Sequence, residues 1–262
     1  MTQPTGLLQP DPVGRDVGGT TLIGYLLDAA RLRPAGRRLL TLFSLALFMV
    51  GLSVFAFPLT TDIYTTQLVQ RPLADQFTSP EIVERYTTRT IQTGDPLTQM
   101  VIPALDVDVV VVEGTSPAAL RAGAGHYPNT PLPGEEGNVA IAGHRTTYGK
   151  PLNELDLLDV GEEIQLVTPL SIHTYRVVAA PADSGRRCAN DACWIVDPDQ
   201  WEVVAPLDGA MLTLTTCHPK NSFAERLILR AELVGSEPRV FDDEGTPLPV
   251  DQTAAAAEVR RS

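Results

Sequence analysis

Residues 39–59 form a run of 21 positions without a single charged side chain, broken only by Thr41, Ser44, Ser53 and Pro58. As a helix rising 1.5 Å per residue, the run is about 30 Å long, the thickness of a bilayer's hydrocarbon core. A buried helix of a soluble domain rarely needs so long an uncharged stretch. Arg31, Arg33, Arg37 and Arg38 stand just before it, whereas Asp62 follows and no basic residue appears until Arg71. Positive charge is retained on the cytoplasmic side, so the N-terminus is expected inside and the rest of the chain outside. A cleaved signal peptide is the competing reading. It calls for a shorter apolar core and a small-x-small cleavage site, and Phe55-Ala56-Phe57-Pro58 is not one. The expectation is a cytoplasmic arm at 1–38, a transmembrane signal anchor at 39–59 and an extracellular remainder.

The net charge of −12 is unevenly divided: five Arg against three Asp give residues 1–38 a charge of +2, which leaves −14 for the part after the anchor. A domain that acidic is poorly suited to nucleic acid, whose affinity depends on basic side chains facing phosphates. The acidity reads as a solubility feature, with attraction of cationic amines as the alternative. Residues 60–95 are rich in Thr, Gln and charge. They read as an extracytoplasmic stalk, with a helical turn or two after Pro80. From residue 96 the pattern changes to short β-branched runs at 100–103, 107–112, 139–142, 163–168, 173–180, 211–216 and 226–234, each bounded by turn residues. Ser116 and Pro117 open a brief helix over 116–121, and glycine-rich 122–137 reads as a loop. Many short strands with turns between them favour a closed or nearly closed β-barrel. The folded domain is placed at 96–235, about 140 residues and a common domain size. Residues 236–262, acidic and proline-containing, read as a disordered tail.

Three cysteines are present in a chain expected to be exported. Cys188 and Cys193 flank the turn-prone Ala-Asn-Asp-Ala and can meet in a disulfide, which would stiffen the 181–198 connection. No histidine or second cysteine pair lies near them, so a metal site is not expected there, nor a cofactor anywhere in the chain. Cys217 is then left free. It closes the alternating run Leu212-Thr213-Leu214-Thr215-Thr216-Cys217 and is followed at once by His218-Pro219. His144 ends Ala140-Ile141-Ala142-Gly143-His144-Arg145, and Arg226 opens Arg226-Leu227-Ile228-Leu229-Arg230. A thiol at a strand end attacks as its thiolate, which needs a base or a positive field nearby. Imidazole supplies the first and guanidinium the second, so the three suggest covalent acyl transfer. His126 reads as ordering its own loop and His173 as a surface residue. His218 adjoins Cys217, but consecutive residues of a strand point to opposite faces. Arg226 and Arg230, four apart, face the same side, and only one can be level with Cys217. Thr216 can offer its hydroxyl to an oxyanion or a substrate.

Thr213-Leu214-Thr215-Thr216-Cys217, with His144 and Arg226 in order before and after it, resembles the sortase family, the cysteine transpeptidases of the Gram-positive cell surface. The continuation Thr-Cys-His-Pro and the preceding Ala-Gly-His-Arg-Thr resemble the actinobacterial class E type, over roughly residues 96–234. The resemblance implies an eight-stranded β-barrel, with Cys217 as nucleophile, His144 as general acid/base and Arg226 as the arginine. It implies cleavage of a C-terminal LPXTG- or LAXTG-type sorting signal between Thr and Gly through a thioacyl intermediate. The signal is then transferred to an amine of a peptidoglycan precursor or a pilin. The partners are sorting-signal-bearing surface proteins or pilins and the cell membrane, with no nucleic acid. Tyr148, just after the histidine, is assigned by the same resemblance to the substrate groove, and the 181–198 connection to a position over it. A hydrolytic cysteine peptidase and a non-catalytic surface β-module remain as rival readings.

Overall fold

A computed structural model of the chain describes Gly24 and residues 34–240. The greater part of the expected arm, and the tail from 241 onward, lie outside the described residues. The apolar run falls within helix α1, Pro34–Tyr64. The helix carries on through a π-helical stretch, Thr65–Gln70, into α2, Arg71–Phe77. It is long and apolar enough to cross a membrane. Residues up to 55 and residues from 56 onward form two separate units. In the first unit Leu42, Phe43, Leu47, Phe48 and Phe55 are all exposed, so the helix is apolar on every side, as a lipid-facing span is.

The second unit is built on nine strands: β1 Pro96–Ile102, β2 Val107–Glu113, β3 Ala124–His126, β4 Gly137–Gly143, β5 Glu163–Val167, β6 Ser171–Val177, β7 Cys193–Val196, β8 Ala210–His218 and β9 Glu225–Pro238. Neighbours run β6-β5-β1-β2-β3-β4-β8-β9, and β9 pairs back with β6. Eight strands therefore close into a barrel, the expected architecture, and β7 adds a ninth strand outside the closure. The pairs β2–β3 and β4–β8 are parallel. Inward-facing Met100, Ile102, Val111, Ile141, Leu166, Tyr175, Leu212, Leu214 and Leu229 fill the interior, as the period-two alternation of these strands requires.

Strand β9 has different partners along its length. Residues 226–229 pair with β7 on one edge, and from Ala231 to Pro238 that same edge is taken over by β6. Residues 236–238, read as the start of the tail, are thus the last rungs of β9. Pro238 is tolerated because it sits at the strand end, where a missing N–H costs least. Two strands lie where loops were expected. β3 occupies three residues of the glycine-rich stretch, and β7 four residues of the 181–198 connection. The brief helix after Ser116 is a 3-10 turn, Ala119–Ala122, and the Ala119 N–H donates to Ser116 Oγ.

Residues 60–95 differ most from the stalk reading. They are mostly helical, through α1, the π-helical stretch, α2 and α3 (Pro80–Thr88), and they pack on the barrel. Val69 and Leu73 cover Val112, Ala119 and Ala122. The Gln70 side chain accepts from the Val110 N–H at 2.8 Å and donates to the Val110 carbonyl at 3.0 Å, so it supplies the backbone pairing that the outside of β2 lacks. The unbroken Val109-Val110-Val111-Val112 thereby acquires cover on both faces, the arrangement such apolar runs require.

Candidate active site

Parallel pairing of β4 with β8, in register Ala142 to Thr215, brings the C-terminal ends of these two strands side by side. The antiparallel β9 begins at the same end, with Cys217 directly opposite Arg226. His144 follows the last residue of β4. The three residues separated by 73 and 9 positions in sequence thus occupy adjacent strand ends, in the order His144, Cys217, Arg226. All three line one cavity of about 250 Å³.

Cys217 is half-buried and unbonded. His144 is held at its backbone by the Gly123 carbonyl, to which its N–H donates at 3.0 Å. Burial lowers the imidazole pKa below its ordinary value of 6.5, which keeps the ring neutral and able to accept a proton at neutral pH. Arg226 donates twice from Nη1, to the carbonyls of Phe223 and Glu225 at 3.0 and 2.9 Å. It has no carboxylate partner among the described residues, so Nη2 and Nε remain for a ligand. Arg230 lies opposite Thr213, four residue pairs further along the β8–β9 ladder. Its guanidinium covers the Trp194 ring at 5.1 Å and donates to Thr213 and to the Val203 carbonyl. Register therefore separates the two arginines that the strand's periodicity alone leaves equivalent.

Thr216 lines the cavity, but its hydroxyl proton goes to the Gly143 carbonyl at 2.8 Å. The hydroxyl ties β8 to β4 rather than standing ready as a donor. Tyr148 does not line this cavity. Its ring lies 5.0 Å from that of His144, and its other side borders a neighbouring cavity of about 360 Å³ against the helical segment. Cys188 and Cys193 are bonded to each other, with Cys193 fully buried in the barrel core. The disulfide secures the start of β7, and the stretch facing the cavity, from Val196 to Val204, begins in that connection, runs past its end and lies downstream of the bond.

The remaining histidines have other work. His126 is buried and bonds Glu113 Oε2 at 2.7 Å. His173 contacts Ser236 Oγ at 2.9 Å. His218 Nδ1 accepts from Arg145 Nη1 at 2.8 Å. Arg145, 3% exposed, also donates to the Cys217 carbonyl at 3.3 Å and pairs with Asp156 at 2.9 Å. It therefore fixes the backbone of the thiol-bearing residue from behind. Three contributors stand outside the sequence reading: Arg145, Trp201 and Tyr127. Trp201 lines the cavity although 67% exposed, and the Tyr127 hydroxyl bonds Thr215 Oγ1 at 3.0 Å. An arginine next to a candidate acid/base was the available signal for the first. Nothing local distinguishes the other two.

Residues 100–234 match the family described as Sortase, a sortase domain. Sortase SrtE1 of Streptomyces coelicolor is 29% identical over 158 residues, covering 57% of this chain and 44% of its own length. Sortase D of Bacillus subtilis is 29% identical over 129 residues, covering 49% and 57% respectively. The chain thus spans about half the length of the curated relatives it matches. Among solved structures, a sortase D5 transpeptidase of Clostridium perfringens superposes with a TM-score of 0.52 at 26% identity, over 67% of this chain and 99% of that one.

Proposed function

Because the chain belongs to the sortase family, we propose that it is a class E-type cysteine transpeptidase, anchored by residues 39–59 with its N-terminus in the cytoplasm and its barrel outside. The observation that carries this reading is the convergence of a free thiol, a half-buried neutral imidazole and an arginine without a carboxylate partner among the described residues, all at adjacent strand ends. In this reading His144 takes the Cys217 proton and the thiolate attacks the Thr–Gly carbonyl carbon of a C-terminal LPXTG- or LAXTG-type signal. Nη2 or Nε of Arg226 donates to the developing oxyanion. His144 then returns the proton to the departing glycine nitrogen as the C–N bond breaks, leaving a thioester on Cys217. An amine, from a peptidoglycan precursor or a pilin, attacks that thioester while His144 accepts its proton, and the thiol is released. The net charge of −14 beyond residue 57 favours the approach of a cationic amine.

The test uses the full chain in detergent micelles with peptides bearing Leu-Pro-x-Thr-Gly or Leu-Ala-x-Thr-Gly and triglycine as amine. Mass spectrometry is expected to find a thioacyl adduct on Cys217 and an amide product. Release of the free acid alone, with triglycine present in excess, would assign the chain to hydrolytic peptidases instead. Absence of any adduct would remove the enzymatic reading.

A further inference from the structure

Both walls of the His144 site are fastened to the helical segment that precedes the barrel. The first wall is the 3-10 turn Ala119–Ala122 and the glycine after it. The Arg121 carbonyl accepts from Thr65 Oγ1 at 3.3 Å, and the Ala122 carbonyl accepts from Gln70 Nε2 at 2.5 Å. The next residue is Gly123, whose carbonyl receives the His144 N–H. The second wall is the loop after His144. There Tyr148, Gly149 and Lys150 are three consecutive residues with positive φ, at 52°, 73° and 41°. Only glycine adopts that region freely, so a run of three persists only where surroundings hold it. Asp62 does so twice: Oδ1 accepts from the Gly149 N–H at 3.1 Å, and Oδ2 pairs with Lys150 Nζ at 3.0 Å. Thr65, 1% exposed, closes the same corner, since a methyl group on Gly149 would lie 3.4 Å from its Cγ2. Tyr148, held in this loop, sets its ring against His144 at 5.0 Å.

We propose that Asp62 and Gln70 are positioning residues for His144, so that the helical segment at 56–77 is a working part of the acid/base site and not a spacer. Asp62 acts through Gly149 and Tyr148 on the imidazole ring, and Gln70 acts through Ala122 and Gly123 on its backbone. Neither residue lines the Cys217 cavity, so neither is placed to affect peptide binding directly. The proposal rests on the acid/base role assigned to His144 for its kinetic consequence, but not for its structural one.

The test therefore has two arms, both on the full-length chain in micelles. In the kinetic arm, Asp62→Ala and Gln70→Ala each lower kcat about tenfold, the scale of a displaced catalytic group, while KM for the sorting peptide stays within about twofold. Asp62→Asn, which keeps an acceptor for the Gly149 N–H, recovers most of the loss. In the spectroscopic arm, the His144 ring resonances, assigned with His144→Gln, lose the Tyr148 ring-current shift in Asp62→Ala, while those of His126 and His173 stay in place. Unchanged kcat in both alanine variants, or a loss appearing in KM, would overturn the proposal. So would an unmoved His144 signal. If the parent chain makes no transfer product, the transpeptidase reading fails while the ring-current arm still decides whether the helix positions His144.

Discussion

Replacing Arg226 and Arg230 one at a time by alanine separates chemistry from stability on a single strand. Arg226 makes only two local bonds, to the carbonyls of Phe223 and Glu225, so its loss removes little that holds the fold. If its free N–H groups face the developing oxyanion, the cost falls on turnover, on the order of 100-fold or about 2.7 kcal/mol of transition-state stabilisation. Arg230 is the reverse. Its cover over Trp194 at 5.1 Å contributes about 1 kcal/mol in a partly buried setting. Its bonds to Thr213 and Val203, at 3.4 and 3.2 Å, are long and add roughly 0.5–1 kcal/mol each. Losing all three costs about 2–3 kcal/mol, and at about 2–4 °C per kcal/mol for a domain near 200 residues the melting temperature falls by roughly 5–10 °C. Calorimetry and a transfer assay on both variants check the pair. Arg226→Ala is expected inactive and as stable as the parent, and Arg230→Ala less stable and largely active below its transition. A dead but thermally unaltered Arg230→Ala beside an active Arg226→Ala would refute the assignment and the register on which it rests.

Cys217→Ala should abolish adduct and product and leave the melting temperature within a few degrees, because the side chain is half-buried and lost volume is small; any amide product from this variant moves the nucleophile elsewhere. His144→Ala should lower turnover at least 100-fold, the usual scale for a general acid/base, and a smaller loss in single-turnover measurements would deny it that role. The His144, His173 and His218 imidazoles all lie below the ordinary 6.5 through burial. Their contribution to stability is complete above that value and is lost as pH falls below it, because the unfolded chain then binds protons the folded one resists. The urea midpoint should decline between about pH 7 and pH 5, and less steeply in His173→Gln, which lies outside the site; an equal slope in the two proteins would contradict this. Changing Cys188 and Cys193 together to Ser should cost about 2 kcal/mol by loop-closure entropy. It should show in melting temperature more than in KM, because the bond secures the buried start of β7; a KM effect with no thermal one would place it over the groove after all.

The barrel was legible because its longer strands alternate strictly and end in turn residues. Leu212 to Cys217 could be placed by period alone. Strand β3 was not legible, since Ala124-Gly125-His126 has no periodicity to read and exists only by pairing with β2 and β4. Strand β7 is equally dependent on β9. The three principal site residues were found by type and by family resemblance, but their alignment across β4, β8 and β9 is a matter of register that no local pattern encodes. The docked helical segment left one unused signal. Four valines in succession at 109–112 implied a cover for the outer face of β2, and the cover is made by Val69 and Leu73, two apolar residues inside a segment whose Thr, Gln and charge read as a stalk. Tyr148 stands against His144 rather than on the Cys217 cavity, and the run of positive φ values in its loop follows no local period.

The succession of partners on β9 bears on how such a chain can vary. Closure of the barrel depends on the half of β9 beyond Ala231, where β6 is attached, while the half beside Cys217 is flanked by β7, which closes nothing. Everything between β6 and β8, some thirty residues, is therefore an insertion in the topological sense. It can lengthen or shorten without opening the closure between β6 and β9, although its strand β7 pairs with residues 226–229 of β9 and its Cys193 sits in the core, and it supplies one side of the cavity that Cys217 lines. The framework that aligns thiol, imidazole and guanidinium and the wall beside them are joined along β7, where Val196 is level with Arg226. A loop exchanged between two chains of this architecture would have to keep the β7 rungs for Arg226 to stay level with Cys217.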